Sequence, residues 1–528
     1  MTAERRPPDI AAIVSWIGLL AGPIVAVCVF MLLPRQAVGP DGVLTGLSDT
    51  GRATASVGAL MAVWWLSEAI PLSATALLPL VLFPLTGAAT MSRAAAPYAD
   101  SVIFLFLGGF ILGLGMERWG LHKRIALLVV LMVGTGPKRL IGGFMLASAL
   151  ISMWVNNTST TIMMLPIALS VIGLVAARHA APGTPERDIR SPDPNFDSTL
   201  LLGIAYAASI GGVATLIGTA PNAIMKGFVA RELGREIGFA NWLMLGLPIV
   251  AAYLPLAWLY MTCISQPVRL KTIPGGREMI RAEFAALGPM SRGEWTVFGV
   301  FLCTVTLWLT RPLLNEWGES LAAGGHGGDV LPALARALHG LNDSTIAVLA
   351  ALALFVIPVR PRERVFAMDW PTAERLPWGV LLLFGGGLSL AAAITANGVD
   401  AYIGQMLGGL GRLPLWMAVL IVCAVVIFLT ELTSNTAVTT ALLPILAAAA
   451  PSLGVDPMRL VVPAAVAASM AFMLPVATPP NAIVFGSGRV RIGQMARAGL
   501  GLNIIGIVLI TVATMIVGDG IVAVASAR

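Results

Sequence analysis

Two short polar clusters interrupt otherwise apolar stretches of this 528-residue chain, Asn156-Asn157-Thr158 and Ser434-Asn435-Thr436. Each is followed by a second element of related composition, Gly218-Thr219-Ala220-Pro221-Asn222-Ala223-Ile224 and Ala477-Thr478-Pro479-Pro480-Asn481-Ala482-Ile483. An amide or hydroxyl in apolar surroundings costs several kcal/mol, on the order of 2–7, unless it is partnered, so something must satisfy these groups. Proline beside them breaks a helix and frees backbone N–H and C=O groups. Inside a membrane such groups are tolerated only where the backbone faces protein or a wet cavity. Freed N–H groups at a helix N-terminus suit an anion, and freed carbonyls with amide oxygens suit a hard cation such as sodium. A single Asn can equally hold two helices together by an interhelical hydrogen bond. The occurrence of the whole set twice favours a binding site.

The two copies keep register. Phe106-Leu107-Gly108-Gly109 matches Phe384-Gly385-Gly386-Gly387, and Asn157-Thr158 matches Asn435-Thr436, both at an offset of 278. Residues 156–169 share 6 of 14 positions with 434–447, including Leu165-Pro166-Ile167 against Leu443-Pro444-Ile445. The third landmark shares 5 of 7 positions at an offset of 259, and the difference fits the polar insert between Arg178 and Ser198. An internal repeat of this length marks a duplicated architecture.

Composition sets the elements that carry these clusters. Hydrophobic residues make up 57% of the chain, charged residues only 11%, and the mean hydropathy is +0.87, which excludes an ordinary soluble domain. Apolar runs near the roughly 20 residues needed to cross a bilayer predict an all-α polytopic membrane protein. It has about 11 transmembrane helices, near 11–34, 53–69, 71–88, 101–118, 199–230, 242–264, 294–313, 344–358, 377–396, 458–488 and 494–518. The stretches 139–177 and 415–450, broken at their centres by the polar clusters, read as re-entrant hairpins, and 199–230 and 458–488 as broken helices. Five predicted crossings separate the hairpins, so the second copy is upside down relative to the first, as in many transporters. The chain then divides into scaffold helices 1–100, a first repeat 101–264, a linking region 265–376 and a second repeat core 377–528.

A net charge of +6 points to the placement of Lys and Arg rather than to nucleic acid. The basic loops 118–139, 178–198, 266–293 and 359–376 fall on one side if the N-terminus is cytoplasmic, and Leu314 to Ser344 then lies outside, as does the C-terminus. Cys28, Cys263, Cys303 and Cys423 have no paired spacing and read as small core residues. His122, His179, His326 and His339 read as solvated loop residues, which leaves an intramembrane hydrolase without a base. A channel is disfavoured by the Pro-broken clusters, which suit an occluded site rather than an open file. Glu68 and Glu431 are the deep acidic residues, either relay groups or hydrogen-bonded residues near a helix end.

Trp64-Trp65-Leu66-Ser67-Glu68-Ala69-Ile70-Pro71, the two triplets, and Ser209-Ile210-Gly211-Gly212 running to Asn222 with its partner Ala477 to Asn481 carry a family resemblance. Over nearly its whole length the chain resembles the divalent anion:sodium symporter family, the solute carrier 13 group. The resemblance implies a bacterial plasma-membrane symporter of C4-dicarboxylates (succinate, malate, fumarate) coupled to sodium ions at two or more sites. It implies no organic cofactor, a homodimeric scaffold and an elevator motion. An exchanger without cation coupling, or a sulfate or citrate carrier, is the alternative within the family, and the lack of a long soluble insert favours dicarboxylates. By resemblance, Asn157, Thr158, Asn435 and Thr436 contact the dianion, with Thr219, Thr478, Pro221 and Pro479 nearby. A first sodium is expected at Ser152, Asn156, Asn157 and the Gly218 carbonyl, and a second at Thr430, the Thr433 carbonyl, Asn435 and the Ala477 carbonyl. Asn156 stands where the family usually has Ser. Neither motif region supplies Arg or Lys, so a dianion there needs bound cations and N–H dipoles. At an effective dielectric constant of about 20, one sodium about 4 Å away contributes on the order of 4 kcal/mol.

Overall fold

The computed structural model describes residues 10–38, 44–134, 136–179, 191–273, 275–323, 340–407, 413–523 and 525–527. The polar insert 180–190 and the Gly-rich segment 324–339, with His326 and His339, lie outside the described residues.

The structure is helical, with two-residue and three-residue strand pairs at its edges. Among the described residues seven helices are long and apolar enough to cross a membrane: Ile13–Leu32, Met91–Arg118, Asn157–Arg178, Phe239–Ser265, Arg292–Ser320, Trp378–Ala396 and Ile492–Ile516. Their outer faces carry exposed Trp16, Leu20, Ile24, Met31, Trp295 and Leu302, which only lipid or another apolar surface would cover.

Both polar clusters sit at the tip of a helical hairpin. The first has legs Pro137–Ser152 and Asn157–His179, the second Leu415–Thr430 and Asn435–Ala449. Pro137 occupies the first turn of its helix, where its missing N–H costs nothing, and Pro414 precedes the corresponding helix of the second hairpin. The second leg of the first hairpin, at 23 residues against 15, is long enough to span.

The expected broken helices are present. The first consists of Pro194–Gly212 and Ala220–Glu232, the second of Met458–Ala468 and Pro479–Gly486, with unwound backbone between. Thr219 and Thr478 have nearly the same extended geometry, φ −143° with ψ 145° and 149°, and prolines start the helices that follow. From Phe196 to Gly212 every residue is buried, so this helix runs through the centre of the molecule rather than facing lipid on one side. Both hairpins and both broken helices pack on one another.

Several expectations are corrected. The loop 118–139 contains a helix, Leu121–Val133, and 266–293 contains Gly276–Ala286. Both are shorter than a span and carry basic residues, Lys123 and Arg124 in one and Arg277 and Arg281 in the other. His122, expected to be solvated, is buried and bonds the Met116 carbonyl, and burial lowers its pKa. The predicted span 71–88 is two helices, Leu72–Thr75 and Leu78–Thr86. The helix expected over 294–313 continues to Ala323, and Val399–Leu407 was not foreseen. Of the four cysteines only Cys423 is buried; Cys28, Cys263 and Cys303 are exposed, because an apolar run in a membrane protein faces lipid as readily as core.

Candidate substrate and cation site

The two hairpin tips and the two helix breaks line one cavity of about 830 Å³. Asn156, Asn157, Thr158, Gly218, Thr219 and Pro221 contribute from the first copy. Ser434, Asn435, Thr436, Ala477, Thr478 and Pro479 contribute from the second. Ser152, Thr430 and Thr433 are buried behind this wall. The volume suits a small organic solute with its ions.

The tips are built alike. Ser152 Oγ donates to Asn157 Oδ1 at 2.6 Å, and Thr430 Oγ1 donates to Asn435 Oδ1 at 2.5 Å. One turn on, Thr161 and Thr439 hydroxyls donate to the Asn157 and Asn435 carbonyls. The breaks are also built alike: Asn222 Nδ2 donates to the Val213 and Thr215 carbonyls, and Asn481 Nδ2 to those of Ala471 and Leu474. These amides tie up carbonyls that the missing helical turn leaves unpaired.

Gly212, within a stretch noted in the sequence but not assigned a role, explains the spacing of the first site. A Cβ there would stand 2.8 Å from Asn157 Oδ1 and 2.9 Å from the Gly218 carbonyl oxygen. With Ser152 Oγ bonded to that same amide oxygen, three of the four oxygens expected around the first sodium converge on one small volume. An all-oxygen donor set without a thiol or imidazole suits a hard cation. The fourth, Asn156 Oδ1, accepts the Ser159 N–H at 2.8 Å and so caps the helix behind it. The carboxamide of Asn156, in place of a serine hydroxyl, thus serves the helix N-terminus.

Four helices begin at this cavity, at Asn157, Ala220, Asn435 and Pro479. Each carries the equivalent of about +0.5 charge at its N-terminus. The cavity is therefore electropositive through its backbone, with cation ligands beside it.

Two charged side chains line the rim: Arg375, which the sequence does not mark as a site residue, and Glu68, which is expected to be deep but is exposed. Arg375 lines the cavity from the turn preceding Trp378–Ala396, and Glu68 lines it from the end of Asp49–Ser67. Arg375 stood among other arginines in a basic loop, so no local signal set it apart. Glu68 adopts a left-handed conformation (φ 47°), rare for a side-chain-bearing residue, and its carbonyl accepts the Ser15 hydroxyl.

With this geometry in view, the relatives of the chain can be placed. A family model described as the sodium:sulfate symporter transmembrane region matches residues 14–524. The chain belongs to this symporter family. As a family member it is a membrane transporter and not an enzyme. It is 40% identical over 496 residues to the sodium-dependent dicarboxylate transporter SdcS of Staphylococcus saprophyticus, covering 94% of this chain and 89% of that protein. The SdcS protein of Staphylococcus aureus strain RF122 is 39% identical over the same shares. In fold the symporter is similar to the YdaH transporter of Alcanivorax borkumensis, with TM-score 0.57 and 14% identity over 97% of this chain and 99% of that one. It is also similar to MtrF of Neisseria gonorrhoeae, with TM-score 0.55 and 12% identity over 96% and 97%. At these identities the structural likenesses bear on fold alone.

Proposed function

We propose that this protein carries C4-dicarboxylates such as succinate, malate and fumarate across the plasma membrane, coupled to sodium ions bound at two sites. The observation that carries this reading is the convergence of four helix N-termini and two oxygen-rich tips on one cavity. The N-termini attract a dianion, and the oxygens accept cations that offset its charge. The names of the SdcS relatives agree with both halves of that assignment.

Asn157, Thr158, Asn435 and Thr436 hold the carboxylates, with Thr219, Thr478, Pro221 and Pro479 shaping the floor. Ser152, Asn157 and the Gly218 carbonyl hold the first sodium beside Asn156. Thr430, Asn435 and the carbonyls of Thr433 and Ala477 hold the second. The conserved geometry of tips and breaks supports two inverted copies.

The hairpins and broken helices move as one body against a dimeric scaffold, in an elevator motion. Its support lies in their mutual packing and in a second cavity of about 590 Å³ lined by Phe228, Glu232, Asp400 and Pro457. Helix Ala220–Glu232 starts at one cavity and ends at the other, and its 13 residues span roughly 20 Å. With the N-terminus inside and the C-terminus outside, the lining of the larger cavity by Arg375, from the basic loop 359–376, supports an opening of that cavity to the cytoplasm.

Uptake of labelled succinate by proteoliposomes, with and without an inward sodium gradient and with citrate and sulfate as competitors, tests the proposal. Sodium-stimulated uptake that sulfate does not inhibit is expected. Counterflow at full rate without sodium would make the protein an exchanger, and transport of sulfate alone would overturn the substrate.

A further inference from the structure

Glu431 follows the last residue of helix Leu415–Thr430 and is buried. Its carboxylate accepts the N–H groups of Phe472 (2.6 Å), Met473 (2.9 Å) and Leu474 (3.2 Å), all in the unwound stretch of the second broken helix. Asn503 Nδ2, from helix Ile492–Ile516, donates to it at 2.7 Å. A carboxylate with this many donors is held in one place, and it holds its donors in return.

The consequence lies one hydrogen bond further on. Leu474, whose N–H donates to Glu431, accepts the Ala477 N–H at its own carbonyl at 3.2 Å. The hairpin and the broken helix, which supply different ligands to the second sodium, are thus joined through residues 431, 474 and 477. In the first copy the positions at the same offsets are 153, 215 and 218. There Thr215 Oγ1 accepts the Gly218 N–H at 3.0 Å and donates to the Met153 carbonyl. The same three places are linked in both copies, by a hydroxyl in one and by an ionisable carboxylate in the other.

We propose that Glu431 is a positioning residue for the second cation site, fixing the Ala477 segment against Thr430 and Asn435 through the backbone of Leu474. The proposal rests on the sodium-coupled reading above. It gives Glu431 no contact with sodium or with the dianion: its oxygens are filled by protein donors. The first copy reaches the same end without charge, so the two sodium sites differ in their dependence on a buried carboxylate.

The test uses full-length protein, with Glu431→Gln as the main variant and Glu431→Asp as the conservative one. An amide turns an N–H group toward donors. The sodium half-saturation of succinate uptake should rise about tenfold or more in Glu431→Gln and less in Glu431→Asp. The succinate KM at saturating sodium should stay within roughly twofold, and the steepness of the sodium dependence should not change. A readout free of transport is the sodium-induced rise in thermal unfolding temperature against choline, whose midpoint should shift by the same factor. If Glu431→Gln does not fold, Asn503→Leu removes one donor to the carboxylate and should shift the midpoint about threefold. Unchanged sodium midpoints in the folded variants would overturn the proposal. A shallower sodium dependence would overturn it too, by making Glu431 a ligand. Wild-type protein that shows no sodium effect in either assay refutes the sodium-coupled reading itself.

Discussion

Phe106 and Phe384, both buried and 278 residues apart, meet edge to face with ring centroids 5.2 Å apart. They occupy matching positions in the two copies. Matching residues of the two copies thus touch each other at this point. Both helices come close to a neighbour beside it. A Cβ on Gly108 would stand 2.4 Å from the Ala347 backbone, and one on Gly386 would stand 2.3 Å from the Ala76 carbonyl oxygen. Small residues at matching places let both copies pack tightly against what surrounds them.

A double-mutant cycle tests that contact. Phe106→Leu and Phe384→Leu should each lower the thermal unfolding temperature in detergent, and the pair should be coupled by about 0.5–1.5 kcal/mol. Simple additivity would mean the rings do not support one another.

Gly212→Ala should act on cation binding rather than on folding. The added methyl competes with Asn157 Oδ1 and the Gly218 carbonyl for the same space. Moving them should weaken sodium binding by roughly fivefold to a hundredfold, from a packing cost of about 1–3 kcal/mol. Sodium titration of succinate uptake reads this directly. An unshifted titration would place the first cation elsewhere.

Arg375→Gln tests the rim. The guanidinium lines the cavity and forms no ion pair among the described residues. Its loss should weaken succinate binding from the cytoplasmic face about threefold to tenfold at low ionic strength, with the difference shrinking as salt is raised. Uptake into inside-out vesicles at two ionic strengths measures it. A loss insensitive to salt would indicate a direct contact instead.

Lys226→Met tests a buried charge cluster. Lys226 Nζ lies 2.6 Å from Asp343 Oδ2, Arg311 lies 3.3 Å from Oδ1, and the Phe239 N–H donates at 3.0 Å. Removing the lysine should cost about 3 kcal/mol, since Asp343 stays buried with one cation instead of two. A fall in unfolding temperature is expected, largely restored by Asp343→Asn in the same chain. Wild-type stability in Lys226→Met would show that Arg311 alone neutralises the carboxylate.

Much of the site was legible because its chemistry is written in short runs of sequence. Asn157, Thr158, Asn435 and Thr436, with Thr219 and Thr478, are polar where polarity is costly, and they share one cavity. Gly212 was less legible. A glycine's reason lies in what approaches it, here Asn157 and Gly218, and neighbours in space leave no mark on neighbouring residues. Arg375 escaped for the opposite reason, being one basic residue among several that satisfy the positive-inside pattern. The helix Leu121–Val133 was hidden because its 13 residues fall short of a bilayer-crossing length and carry His122, Lys123 and Arg124 in the first turn. Glu431 was recognised as deep, and its role could be read only when its donors came into view.

The attraction for anions in the main cavity resides in peptide groups at the starts of four helices. Two of these helices already carry proline in the first turn, and every other residue type supplies the same amide, so point substitutions leave that field nearly intact. The rim and the threonines can therefore change without removing that field. Reversing it would require the helices themselves to start somewhere else.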